Sequence, residues 1–148
     1  KAAAGTSIMV STLSVARKAL RDQKGLDGET PISVSPRYLV VGSGSETEAE
    51  QVLAALAAAQ VDDVNPFSGK LTLLVEPRLE EYAWRVFADP AQAEVLSIAY
   101  LNGNQAPMLE TREGWNVLGT EFRAVLDFGC GITGWRGAYF NEGDAPTA

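Results

Sequence analysis

The stretch TEFRAVLDF, Thr120–Phe128, sets Phe122, Ala124, Leu126 and Phe128 on one side of an extended chain and Glu121, Arg123 and Asp127 on the other. Apolar residues at a period of two are the signature of a half-buried β-strand, because successive side chains of a strand point to opposite faces. Upstream, Val95–Leu101 is apolar at nearly every position, which predicts a strand covered on both faces and central in a sheet. Ala83–Ala88 predicts a further strand. Leu71, Leu73 and Val75, alternating with Lys70, Thr72 and Glu76, predict one that Pro77 ends. Downstream, Trp135–Phe140 predicts a final strand, followed by a disordered tail after Gly143.

The first third of the chain reads differently. Leu13, Ala16 and Leu20 recur at helical spacing within Thr12–Lys24, with Val15 and Ala19 alongside. Arg17, Lys18, Arg21 and Lys24 load the C-terminal half, where cations suit the helix dipole, and Gly25 is the expected stop. A polar turn, Leu26–Pro31, leads into short strands at Ile32–Val34 and Tyr38–Val41. A second helix is predicted from Ser45 to about Ala59, with Ser45 and Glu48 in capping-box spacing and Ala49, Val52, Leu53 and Leu56 on one face. Asp89-Pro90 predicts a short helical turn and Asn102-Gly103 a tight turn. Helices early, strands late and no repeated βα unit predict an α+β fold.

Composition narrows the chemistry. The 148 residues are 46% hydrophobic and 21% charged, a globular balance with enough apolar content for a core. The net charge is −7, and the 12 Lys and Arg residues are dispersed, which disfavours reading nucleic acid as the main task. No apolar run approaches the roughly 20 residues of a membrane span. The chain has no histidine and one cysteine, Cys130. Ser–His–Asp and Cys–His machinery is therefore closed to it, as are ordinary zinc sites and an internal disulfide.

The weak motifs resolve to bland readings. Gly129–Gly134 matches G-x-G-x-x-G, but a strand-like segment follows instead of a helix, so a glycine-rich loop between strands is expected rather than a dinucleotide site. Gly42-Ser43-Gly44-Ser45 precedes a helix, yet Glu46, Glu48 and Glu50 would repel a phosphate. Asp62-Asp63 and Glu80-Glu81 lack the third ligand of a metal cage. Cys130 has only Arg136 near it in sequence to activate a thiolate. Trp84, Trp115 and Trp135 lie in or beside strands; core packing is the first reading and burial in a subunit contact the second. No cofactor is expected.

Seven blocks, taken in order, carry a resemblance. They are ARKALRDQKGLDG (Ala16–Gly28), PISVSPRYLVV (Pro31–Val41), NPFSGKLTLLVEPRL (Asn65–Leu79), FADPAQAEVLSIAYL (Phe87–Leu101), ETREGW (Glu110–Trp115), EFRAVLDFG (Glu121–Gly129) and WRGAYFNEG (Trp135–Gly143). Together they cover most of the chain and resemble the major head subunit family of Mu-like bacteriophages. Departures fall at Gly134, where the family tends to an acid, and at Phe140 and Glu142, where it tends to Lys and Pro.

The resemblance implies the Hong Kong phage type of capsid fold. Residues of about 10–119 would form an axial-type domain and about 120–143 returning strands of a peripheral domain, with 144–148 as the tail. The N-terminal arm, extended loop and spine helix would lie upstream, since the chain opens at Lys1 and reads as a C-terminal fragment. It further implies a shell subunit of a phage or prophage head, self-assembling in the bacterial cytoplasm around local five-fold and six-fold axes. It would have no catalysis, no membrane and no specific nucleic-acid readout, and in the full-length context a scaffold, a prohead protease and a portal as further partners. The interface candidates are Asn65 and Phe67 near the capsomer centre, Glu110, Arg112 and Glu113 as inter-subunit ion-pair residues, and Trp115, Trp135 and Arg136. The alternatives are the non-protease part of a capsid–protease fusion and a β-rich binding module of a phage or host-surface protein, which would display its tryptophans in a shallow groove.

Overall fold

The structure, a computed structural model, describes residues 5–54, 70–115 and 118–145. It divides into two compact units, one running to Val95 and resuming at Gly134, the other formed by Leu96–Thr133. Residue 119, near which the sequence places a boundary, lies within the second unit.

In the first unit, a mixed four-stranded sheet is covered by a helix. Helix α1 (Val10–Arg21) starts three residues after Ser7, where the Met9 N–H donates to Thr12 Oγ1 at 2.9 Å. Its apolar stripe is the predicted one: Leu13, Ala16 and Leu20 are buried, whereas Val15 faces solvent. It ends at Arg21, before Gly25, which belongs to the following turn and donates to the Thr30 carbonyl. That turn is held by the Asp27 carboxylate, which accepts from the N–H of Glu29 and of Thr30 and from the Thr30 hydroxyl. These donors hold the Asp27 carboxyl below its usual range. The strand expected at Ile32–Val34 does not form. Ser33 takes a left-handed conformation (φ 49°) that no ladder accommodates.

The sheet runs β2 (Thr72–Val75), β1 (Pro36–Val41), β3 (Trp84–Ala88), β8 (Ala138–Asn141) in spatial order, with β1–β2 parallel and the other pairs antiparallel. The register explains the core. Leu73, Leu39, Val86 and Tyr139 stand in one row across four strands, and Val75, Val41, Trp84 and Asn141 in the next. Ile8, Leu13, Ala16, Leu20 and Ala49 pack with most of these residues as one cluster. Burying each large aliphatic contributes about 1.5–3 kcal/mol, so these two rows and the α1 stripe dominate the unit's stability. On the opposite sheet face, Arg85 lies over the Phe140 ring at 5.3 Å and Phe87 meets it edge-on at 6.1 Å.

Helix α2 (Glu46–Leu53) follows a single 3-10 turn at Ser43–Ser45. Ser45 does not cap it: its hydroxyl donates to the Tyr82 carbonyl at 3.3 Å, because the residue is buried against the β3 approach. Glu48 does not reach back either. Ala49, Val52 and Leu53 make the expected apolar face; the helix stops at Leu53, because Ala54 takes an extended conformation (ψ 143°) where the sequence predicts continuation, and Leu56 lies outside the described residues. Asp89 opens a single turn as expected, its carboxylate accepting from the Ala91 N–H at 3.0 Å.

The second unit corrects two expectations. Among the described residues, Val95–Leu101 is not central in a sheet: β4 (Leu96–Tyr100) pairs with β7 (Phe128–Ile132) alone, in a two-stranded ladder. Thr120–Phe128 is not one strand. β6 (Thr120–Val125) pairs with β5 (Met108–Glu113), and the break at Leu126-Asp127 hands the chain to β7. Gly129 and Gly131 thus sit inside a strand and not in a loop. Asn102 (φ 54°) and Gly103 (φ 75°) make the predicted turn, between β4 and β5.

Candidate assembly surface

The two ladders of the second unit form successive stretches of one β-ribbon, joined where the Leu101 N–H donates to the Asp127 carbonyl at 3.1 Å. The tip is closed by the Gly114 N–H on the Gly119 carbonyl at 2.8 Å. A two-stranded ribbon has no interior, so alternation yields two exposed faces instead of one buried and one wet.

In the β4–β7 stretch the faces differ sharply. Leu96, Ile98 and Tyr100 lie opposite Ile132, Cys130 and Phe128, a continuous apolar face. Ser97 and Ala99 lie opposite Gly131 and Gly129, a face almost without side chains. The apolar face is open: Ile132 is 76% exposed, and Leu96, Ile98 and Phe128 are exposed with it. Contiguous apolar surface of this kind marks interaction sites, because leaving it in water costs free energy that association recovers.

In the β5–β6 stretch, one face is a charge cluster. Arg112 Nε donates to Glu121 Oε2 at 2.6 Å, and Arg123 Nε to Glu110 Oε2 at 2.8 Å, with Arg123 Nη2 on the same oxygen. The side chains surround an open hollow of about 410 Å³. Exposed pairs of this sort contribute roughly 0–1 kcal/mol each, so they set register more than they stabilise. The opposite face carries Leu109, Thr111, Phe122 and Ala124, with Phe122 76% exposed.

The structure brings Glu110 and Arg112 together with Arg123 and Glu121, two partners that no short-range sequence pattern points to. Glu113 lies on the other side of the strand, opposite Thr120. Trp115, at the tip, is 100% exposed. Trp135 and Arg136 belong to the first unit, where the Arg136 guanidinium stacks on the exposed Trp135 ring at 4.9 Å and donates to the Lys24 carbonyl at 2.9 Å. Asn65 and Phe67 lie outside the described residues. Of the three tryptophans, Trp84 alone is core, its ring 5.9 Å from that of Tyr139. The apolar β4–β7 face was readable in principle from Leu96, Ile98, Tyr100, Cys130 and Ile132 at period two. Ala99 blurred the alternation on one strand, and the glycines disguised the other as a loop.

Among the described residues, no three His, Cys, Asp or Glu side chains converge as a metal site, and no helix is long and apolar enough to cross a membrane. The strand–turn–helix that the G-x-G-x-x-G fingerprint requires is absent, since Gly129–Ile132 is itself strand. What the ribbon offers is area and pattern: an apolar face, a charge-patterned face and an aromatic tip, the anatomy of an assembly subunit.

The chain matches the family described as phage capsid protein over residues 1–141, and it belongs to that family. It is a structural subunit of a bacteriophage capsid: copies associate into capsomers, and its place is the virion shell. No curated protein matches it. The binding-module alternative gains no support from the family or the fold.

Proposed function

We propose that the chain is the major head subunit of a Mu-like bacteriophage and takes the Hong Kong phage type of capsid fold. The helix-covered sheet corresponds to the axial domain, at the capsomer centre, and the ribbon to the strands of the peripheral domain. The observation that carries this reading is the division of the chain into a cored unit and a ribbon whose apolar face has no cover within its own ladder. The ordered sequence blocks add to it. Asn65, Phe67, Glu110, Arg112, Glu113, Trp115, Trp135 and Arg136 serve as contact residues on this reading. Assembly proceeds in the host cytoplasm, with a scaffold, a prohead protease and a portal as further partners.

The chain has no catalytic role on this reading, and an active-site-directed serine probe leaves it unlabelled. Its −7 charge keeps the inner wall of a shell from binding the packaged DNA tightly. Imaging of heads purified from a host expressing the head genes is the test. Icosahedral particles with the four-stranded unit around the five-fold and six-fold axes are expected; that unit placed away from those axes would overturn the assignment.

A further inference from the structure

The charged face of the β5–β6 stretch has a symmetry that the separate ion pairs conceal. Along β5 the order is Glu110 then Arg112; along β6 it is Glu121 then Arg123. Across the ladder Glu110 faces Arg123 and Arg112 faces Glu121. Each charge therefore has the opposite sign beside it in both directions, and like signs meet only on the diagonals. Below this square, on the same face, Met108 stands opposite Val125.

Such a pattern is complementary to itself. When a second copy is laid face to face about a two-fold axis running along the strands, left and right exchange while the rows stay level. Glu110 of one copy then meets Arg123 of the other, Arg112 meets Glu121, and Met108 meets Val125. Crossing the two ribbons at right angles would instead set carboxylate on carboxylate. Charge thus selects aligned over orthogonal packing of the two sheets.

The valences needed for this are present. Each intrachain pair uses the Oε2 atom of its glutamate. Among the described residues, the Oε1 atoms of Glu110 and Glu121 and the terminal nitrogens of Arg112 make no hydrogen bond. A guanidinium has five N–H donors and can serve two carboxylates at once.

We infer that this face is a two-fold contact between copies of the chain, with the ribbons parallel and the square of Glu110, Arg112, Glu121 and Arg123 stacked on its own image. The inference rests on the self-associating subunit proposed above and names one surface that does the associating. Isologous contact of this type makes any single-sign change act twice, once from each copy.

The test is sedimentation velocity on the whole chain across a concentration series, with two double variants. Glu110→Arg with Glu121→Arg makes the square wholly basic; Arg112→Glu with Arg123→Glu makes it wholly acidic. Each variant alone is expected to weaken association by about tenfold or more, since like charges then face each other. An equimolar mixture of the two is expected to associate at least as well as the parent, which also shows that both ribbons are folded. Variants that associate like the parent overturn the contact and leave the subunit reading standing. Variants that lose association with no rescue in the mixture overturn it as well. A parent that stays monomeric throughout overturns both.

Discussion

Thr6 and Asn141 hold each other reciprocally across 135 residues of sequence: the Thr6 N–H donates to Asn141 Oδ1 at 3.0 Å, and Asn141 Nδ2 donates to Thr6 Oγ1 at 2.9 Å. The same Oδ1 accepts from the Gly143 N–H at 2.9 Å, and Trp84 Nε1 donates to the Thr6 carbonyl at 2.7 Å. Asn141 is only 4% exposed, so its amide serves the segment before α1, the end of β8 and, through Thr6, the largest core side chain. Asn141→Ala leaves two backbone N–H groups without their acceptor. It is expected to cost about 2 kcal/mol, read as a lower denaturant midpoint at unchanged slope. An unchanged midpoint would show that water replaces the amide at no cost.

Gly143 and Gly129 separate two uses of glycine. Gly143 has φ 74°, and a Cβ there would sit 1.8 Å from the Tyr82 carbonyl oxygen. Gly129 lies in β7 with nothing within 4 Å of its would-be Cβ. Gly143→Ala is therefore expected to destabilise the first unit by about 3 kcal/mol or more. Gly129→Ala should leave thermal unfolding of that unit unchanged and stiffen the ribbon slightly. Equal effects on the melting temperature would refute the contrast.

The core of the first unit was legible because its signals are local and redundant. Leu13, Ala16 and Leu20 have one period, and Tyr38–Val41 and Ala83–Ala88 have another, and burial follows both. The ribbon was illegible for a physical reason. Alternation in Thr120–Phe128, and apolar residues at nearly every position of Val95–Leu101, imply that these strands want cover, but not whether the cover comes from the same chain. A strand that meets its apolar partner only on association has the same sequence as one buried within a sheet. The cis pairing of Glu110 with Arg123 and of Arg112 with Glu121 needed the β5–β6 register, which no short-range pattern discloses. Ser45 misled because capping spacing competes with a tertiary acceptor, the Tyr82 carbonyl, that lies 37 residues away.

Glu76 supplies a pH-dependent marker. The Arg78 side chain, donating through Nε at 2.7 Å and Nη2 at 2.8 Å, and the Arg78 N–H together lower its carboxyl from about 4.5 to about 2. A carboxyl depressed in the folded state adds stability above its unfolded value and loses it as pH falls through the folded one. The contribution is thus intact above pH 4.5 and fades between 4.5 and 2. Arg78→Ala should move the Glu76 titration, followed by side-chain NMR, upward toward 4.5 but not fully, since the backbone donor remains. The stability gap to the parent, small at so exposed a site, should close below pH 2.

The absence of an interior in the ribbon has a dynamic consequence. The β1–β3 ladder lies beneath α1 with Leu39, Val41, Trp84 and Val86 fully buried or nearly so, and opening it exposes the whole core cluster. The β4–β7 and β5–β6 ladders bury no such cluster, so opening them sacrifices hydrogen bonds and little apolar burial. Amide exchange in the free chain is expected to be faster across Leu96–Ile132 than in β1 and β3 by about two orders of magnitude or more, each factor of ten matching about 1.4 kcal/mol of opening free energy. In assembled heads the ribbon amides should slow toward those of the sheet, because a partner then covers the apolar face. Trp115 gives an independent reading at the tip: collisional quenching reaches it and Trp135 but not Trp84 in the free chain. Ribbon amides that exchange equally fast in free chain and in heads would mean that the exposed faces stay uncovered in the shell, and the apolar stripe would then need a different explanation.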